Sequence, residues 1–264
     1  VQPIAPPIPY FGGKQKIAKK IIALFPEHSG YVEPYAGGLS VLLAKPQSRL
    51  EVVNDLNGHI VTFWRVLRDQ PGDLQRVCDL TPHSREEFTL ADLGDELTDL
   101  ERARRVWVLM TQGRSAIWSP TGWRHYQNGA APTSFEKYMS AYRDRLHPAA
   151  ARLRDVQIES KPALEIIERY GKHEANMLYV DPPYIGETRG SGQRYGVEMK
   201  HLDMHAELLD ALKSVPAKVA LSGYAHPLYD DALEGWHRVE LAATTQVSAR
   251  REVVWMNYQP DGWL

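Results

Sequence analysis

Apolar residues stand at helical spacing in residues 14–25, where Ile17, Ile21, Leu24 and Phe25 predict a helix packed on a core. Tyr31–Val32 reads as a short strand running into Glu33-Pro34, Ala36-Gly37-Gly38 as a turn, and Leu39–Ala44 as the start of a helix. Leu50–Val53 is a second strand, followed by the helical stripe Leu56, Ile60, Phe63, Trp64 and Leu67. Strand, glycine-rich turn, helix and strand form the front half of a nucleotide-binding α/β unit. From about 70 to 155 there is little strand signal. Leu100, Ala103, Val106, Trp107 and Met110 predict one helix, and Phe135, Tyr138, Met139, Tyr142 and Leu146 another. Turn residues and aromatics crowd the stretch between them, 119–132. Alternation returns with a strand at Asn176–Val180, a helix carrying Leu202, Leu208, Leu209 and Leu212, and strands at Lys218–Leu221, Val239–Leu241 and Val253–Tyr258. The predicted layout is an α/β core, residues 1–64 and 166–264, split by a mainly helical insert at 65–165.

Composition narrows the class. The 264 residues are 43% hydrophobic and 24% charged, ordinary globular usage that excludes disordered, collagen-like and coiled-coil chains. A single cysteine, Cys78, excludes an intrachain disulfide framework and a Cys-rich zinc site, and fits a reducing compartment. No apolar run approaches the ~20 residues needed to span a bilayer, and the proline-rich opening lacks the basic lead of a secretory signal. A cytoplasmic protein without a membrane partner is expected. Net charge is only −2, but it is unevenly spread. Residues 69–99 hold nine acidic against two basic residues, and 101–154 ten basic against three acidic. This reads either as two solvated helical faces of opposite sign or as a basic, polyanion-binding middle segment.

The chemistry concentrates at two strand ends. Asp181-Pro182-Pro183-Tyr184 directly follows an apolar strand, and ligands of open α/β sheets bind beyond the carboxyl ends of strands. Two prolines stiffen the segment, so that an aspartate, a backbone carbonyl and an aromatic ring can be aimed at one planar amine. Glu33-Pro34-Tyr35-Ala36-Gly37-Gly38 ends the first strand, where glycines let the backbone approach a ligand. Asp55 lies 18 residues beyond Gly37, near the offset at which an acid holds ribose hydroxyls. A helix N-cap is the competing reading of Asp55. There is no G-x-G-x-x-G, which disfavours a dinucleotide.

In this order the motifs resemble the Dam-like adenine-N6 DNA methyltransferases of the α arrangement. The resemblance begins at Pro9-Tyr10-Phe11-Gly12-Gly13-Lys14 and continues through Glu33-Pro34-Tyr35, Gly37-Gly38 and Asn54-Asp55-Leu56-Asn57. It then takes in Asp181–Tyr184, Leu221-Ser222-Gly223-Tyr224 and Arg251–Asn257. It departs at Leu39, where the family loop commonly has glycine. The resemblance implies a Rossmann-like core that uses S-adenosylmethionine (AdoMet), with the insert reading DNA. Tyr10, Lys14, Glu33, Pro34, Gly37, Asp55 and Asp181 would bind the cofactor, and Asp181, Pro182, Pro183 and Tyr184 would form the catalytic segment. Read alone, Lys14 among Lys16, Lys19 and Lys20 is a solvated lysine at a helix start.

The expected reaction is methylation of the adenine exocyclic amine. Hydrogen bonds to Asp181 and the Pro182 carbonyl would free the amine lone pair, and Tyr184 would stack on a base flipped out of double-stranded DNA. No metal is needed for this. In the insert, Arg114, Arg124 and Asn128 are candidate nucleic-acid contacts, near Trp118, Trp123, His125, Tyr126 and Gln127. His201 and His205 read as a solvated helix face, Cys78 as an inert thiol and Ser222 as a strand-end residue. Residues 190–196 read as a closing loop or a plain surface loop. Two alternatives stay open: an amine methyltransferase acting on RNA or single-stranded DNA, and a catalytically idle AdoMet- or DNA-binding regulatory module.

Overall fold

The computed structural model describes residues 3–114, 118, 122–125, 134–185, 199, 201–242 and 251–260. Among the described residues, seven strands form one sheet: β1 (Gly30–Glu33), β2 (Leu50–Asn54), β3 (Gln157–Glu159), β4 (Asn176–Val180), β5 (Lys218–Gly223), β6 (His237–Ala242) and β7 (Arg251–Met256). Their order is β3-β2-β1-β4-β5-β7-β6. The first five strands are parallel, β7 runs antiparallel to β5, and β6 closes the edge antiparallel to β7. The helices are α1 (Ala18–Ile22), α2 (Gly58–Asp69), α3 (Pro71–Leu80), α4 (Arg85–Leu90), α5 (Asp99–Gln112), α6 (Phe135–Arg143), α7 (Leu146–Leu153), α8 (Ala163–Gly171), α9 (Leu202–Ser214) and α10 (Pro227–Ala232).

Alternation along each strand splits the core into two layers, because successive side chains point to opposite faces. Tyr31, Val53, Met177, Tyr179 and Ala220 pack with Ile21, Phe63, Trp64, Trp107 and Leu153. Val32, Val52, Leu178, Val180 and Leu221 pack with Ile166, Ile167, Leu208 and Leu212 on the other side. Coverage of both faces explains why β1 and β4 are buried throughout. β1 lies between β2 and β4, so the chain leaves β1 in one direction and returns to its other side. A crevice at such a reversal, beyond the carboxyl ends of β1 and β4, is the usual ligand site of these sheets.

Several local expectations change. The helix predicted over 14–25 shrinks to α1, because Lys14 turns inward instead of continuing a solvated helix. Leu39–Ala44 makes consecutive turns and no helix. Leu39 has a left-handed backbone (φ 53°), the Leu42 N–H is taken by the Glu33 side chain, and Pro46 has no N–H to extend a ladder. The span 65–165 begins inside α2 and contains β3, which is hydrogen-bonded to β2 as part of the sheet. The stripe over 135–146 is broken into α6 and α7.

Part of the opposite charge of the middle segment is paired. Arg104 pairs with Glu87 and Glu101, Arg105 with Glu101, and Arg65 with Asp99. Arg102 and Arg143 donate to backbone carbonyls of Leu93, Asp95, Cys78 and Thr81. The two runs meet at the Arg104–Glu87 and Arg143–Asp79 pairs.

A buried ion cluster ties α7 to the core. Glu51 accepts from Lys45 at 2.9 Å and from Arg152 Nη2 at 2.7 Å, and Arg152 also donates to the Leu42 carbonyl. The side chains of Lys45, Glu51 and Arg152 are only 2%, 2% and 6% exposed. Burial opposes the Glu51 charge, yet hydrogen bonds from Arg152, Ser48 and Lys45 together hold its carboxyl below the usual range. Removing the anion leaves two buried cations uncompensated. Glu51→Gln is expected to cost about 3–5 kcal/mol of stability in urea unfolding; a loss below about 1 kcal/mol contradicts this role for the cluster.

Candidate active site

The crevice is lined from the N-terminal segment by Tyr10 and Lys14, from the end of β1 by Glu33–Val41, and from the end of β2 by Asn54–Leu56. Asp181 and Pro183 after β4, with Met199, Met204 and Ala163, complete the wall. Tyr10, Lys14, Glu33, Pro34, Gly37, Asp55, Asp181 and Pro183 therefore meet at one cavity. Pro182 and Tyr184 are buried beside it.

The glycine turn is shaped by what lies on it. Gly37 has φ +44°, and a Cβ there would stand 2.9 Å from the Tyr10 ring; at Gly38 it would stand 2.7 Å from the Tyr10 Cβ. The Gly37 N–H donates to Asp55 Oδ2 at 2.9 Å and its carbonyl accepts from the Trp64 indole at 2.9 Å. Asp55 Oδ1 accepts from the Asn57 N–H. Asn57 caps α2, taking the His59 N–H, so Asp55 is not the N-cap; it bridges the β2 end to the glycine turn. Burial raises the Asp55 carboxyl above its ordinary range, against hydrogen bonds from the Asn57, Gly37 and Leu56 N–H groups. Asn54 stitches three segments, donating to the Pro34 and Lys161 carbonyls and accepting from the Lys161 N–H.

Lys14 is the centre of the charged cluster, and its solvated reading does not hold. It is 5% exposed, and its ammonium reaches Asp181 Oδ1 at 2.8 Å, Oδ2 at 2.7 Å and the Gly12 carbonyl at 2.8 Å. Glu252 Oε1 is 3.6 Å away, and the Tyr184 ring centroid 4.9 Å. Burial raises the Asp181 carboxyl, while the Lys14 charge works to lower it. Tyr184 is 6% exposed, with its hydroxyl 3.2 Å from Asp181 Oδ1 and in a short hydrogen bond to Glu252 Oε1; its ring meets Tyr224 edge to face. Tyr184 is thus turned onto Glu252 and Tyr224. Glu252 had no assigned role. Its signal was a lone carboxylate in the apolar strand Arg251–Met256.

The insert reaches the cavity through Trp118, whose indole donates to the Tyr10 hydroxyl at 3.3 Å, with His59 tilted against it at 6.1 Å. Arg114 Nε donates to the Trp123 carbonyl. Arg124 donates to the Gly113 and Arg114 carbonyls and lies over the Tyr138 ring, beside the bridge between Gly113 and Trp123. Asn128, Tyr126, Gln127 and residues 190–196 lie outside the described residues. His205 is buried, not solvated, contacting the Tyr229 hydroxyl and the Met199 carbonyl, whereas His201 is exposed at the start of α9. Ser222 is a buried residue near the end of β5, hydrogen-bonded to the Tyr179 hydroxyl. Cys78 is buried, and burial pushes its thiol up.

Glu33 is 2% exposed, and burial raises its carboxyl to about 8 despite hydrogen bonds from the Tyr31 hydroxyl and the Leu42 N–H. A folded-state value above the unfolded one, about 4.3, means that stability present at low pH is lost as pH rises toward 8. Glu33→Gln keeps an acceptor without that loss. Between pH 5 and 7.5 its stability should therefore gain on the wild type, by at most about 1.4 kcal/mol per pH unit in urea titrations. A constant difference across that range contradicts a buried, protonated Glu33.

A family model described as D12 class N6 adenine-specific DNA methyltransferase matches residues 10–247, from Tyr10 on the glycine turn across the whole crevice. The chain is also similar to Type II methyltransferase M1.LlaDCHI of Lactococcus lactis subsp. cremoris, 23% identical over 269 residues, which span 88% of this chain and 86% of that protein. With the 3-2-1-4-5-7-6 sheet and its acids at the strand reversal, this match means that the chain belongs to the D12 class N6 adenine-specific DNA methyltransferase family.

Proposed function

We propose that Asp181 carries methyl transfer to adenine N6 on a base flipped out of duplex DNA, within a short specific sequence. The observation that carries this is the position of its carboxylate. It stands at the end of β4, 18% exposed, on the wall of the crevice that also holds Asp55. AdoMet, the methyl donor of such enzymes, supplies a methyl group already activated on a sulfonium.

The donor set suits that molecule. A carboxylate has about four acceptor positions, so Asp55 retains capacity for a ribose hydroxyl beyond its backbone partners. Tyr10, Leu39, Val41, Pro183, Met199 and Met204 offer apolar wall for a purine and an aliphatic chain. The adenine amine is a poor nucleophile because its lone pair is delocalised into the ring. Accepting its hydrogens on Asp181 and the Pro182 carbonyl favours a tetrahedral nitrogen, and orientation then contributes more than base strength. Lys14 works against burial to keep Asp181 ionised for that task. Flipping the base costs a few kcal/mol of stacking and pairing. Arg114 and Arg124, beside the strand bridge whose neighbour Trp118 touches Tyr10, are the described insert residues proposed to meet DNA, together with Asn128.

Methyl transfer from labelled AdoMet to unmethylated genomic DNA, followed by digestion to nucleosides, should yield N6-methyladenine. Asp181→Ala should lower turnover about 100-fold or more while AdoMet still binds. Duplex DNA should be methylated faster than separated strands or RNA. Near-normal turnover of Asp181→Ala, or label entering only RNA, contradicts the reading.

A further inference from the structure

Glu252 is a second buried carboxylate at this site, brought from β7 on the far side of β5. It is 5% exposed. Among the described residues, the charged and titratable groups that face it are Lys14 from the N-terminal segment, Asp181 and Tyr184 from the end of β4, and Tyr179 within β4. One ammonium thus stands between two carboxylates, 2.7 Å from Asp181 and 3.6 Å from Glu252, and one phenol hydroxyl lies between the same pair.

A tyrosine hydroxyl has one hydrogen to give. When Glu252 is ionised, Tyr184 donates to it, and Asp181 keeps that lone pair for an incoming amine. When Glu252 carries a proton, its own hydroxyl donates to the Tyr184 oxygen. The Tyr184 hydrogen then turns to Asp181 Oδ1 and competes with the amine. Resting on the reading of Asp181 above, we propose that Glu252 is a positioning residue for methyl transfer, whose negative charge orients Tyr184 and shares Lys14 so that Asp181 is left able to hold the target amine.

Burial, with the neighbouring Asp181 charge working in the same direction against Lys14, raises the Glu252 carboxyl to about 7. The switch therefore lies where a rate profile can see it. The test is single-turnover methyl transfer with saturating AdoMet and DNA from pH 5.5 to 8.5, using the wild type, Glu252→Gln and Glu252→Asp, with AdoMet affinity measured in parallel. The wild-type rate should fall below a midpoint near 7, by about tenfold in all by pH 5.5, and level off above it. Glu252→Gln should be about tenfold slower at pH 8 and lose that limb, with AdoMet affinity within about threefold of wild type; Glu252→Asp should restore the limb. A Glu252→Gln enzyme with wild-type rate and profile overturns the proposal. So does one that is slower but keeps the limb, since a merely structural role would leave the limb in place. A wild-type profile flat from pH 6 to 8 overturns it without any variant. Absence of N6-methyladenine at every pH would instead count against the Asp181 reading.

Discussion

The site depends on one buried cation. Lys14 sits within 2.8 Å of both Asp181 oxygens, in a place where an unpaired charge would be costly to hold. Its stem arrives from the N-terminal segment, Asp181 from β4 and Glu252 from β7, so a single ammonium pins together three parts of the chain that are distant in sequence. The same segment places Tyr10 on Gly37-Gly38, which leaves room for no side chain there. Anchoring the lysine therefore also fixes the ring that covers the glycine turn, and through Tyr10 the contact with Trp118 of the insert. The crevice, Asp181 and Trp118 are linked through one strap of residues 10–14.

Two carboxylates around one ammonium leave an excess negative charge in a desolvated place. Burial raises both acids, and the Asp181 charge adds to the rise at Glu252; a cationic methyl donor would relieve that condition. The hydroxyl of Tyr184 joins the two acids, so their protonation states are not independent.

Much of this was legible in the sequence, and what was not has identifiable causes. Parallel strands covered on both faces leave continuous apolar runs, so β1, β2, β4 and β5 stood out. β3 did not, because Gln157–Glu159 is a short edge strand with polar ends. Leu39–Ala44 has helical composition, but a left-handed residue and the diverted Leu42 N–H break the ladder. Asp55 and Asp181 could be found because they end apolar strands. Lys14 and Glu252 could not be weighed from local pattern, since their burial comes from partners 167 or more residues away or in other strands. Likewise His205 looked solvated beside His201, and only packing against Tyr229 shows it to be interior. The charge runs at 69–99 and 101–154 were visible, but the Arg104–Glu87 pair that joins them needed the folded helices.

Lys14 compensates the buried charge of Asp181. A double-mutant cycle tests it directly: Lys14→Met, Asp181→Asn and the combined variant, each unfolded in urea at pH 8. A coupling of at least about 2 kcal/mol is expected, with the combined variant closer to wild type than Lys14→Met alone, because the stranded carboxylate has gone. Losses that simply add would contradict it.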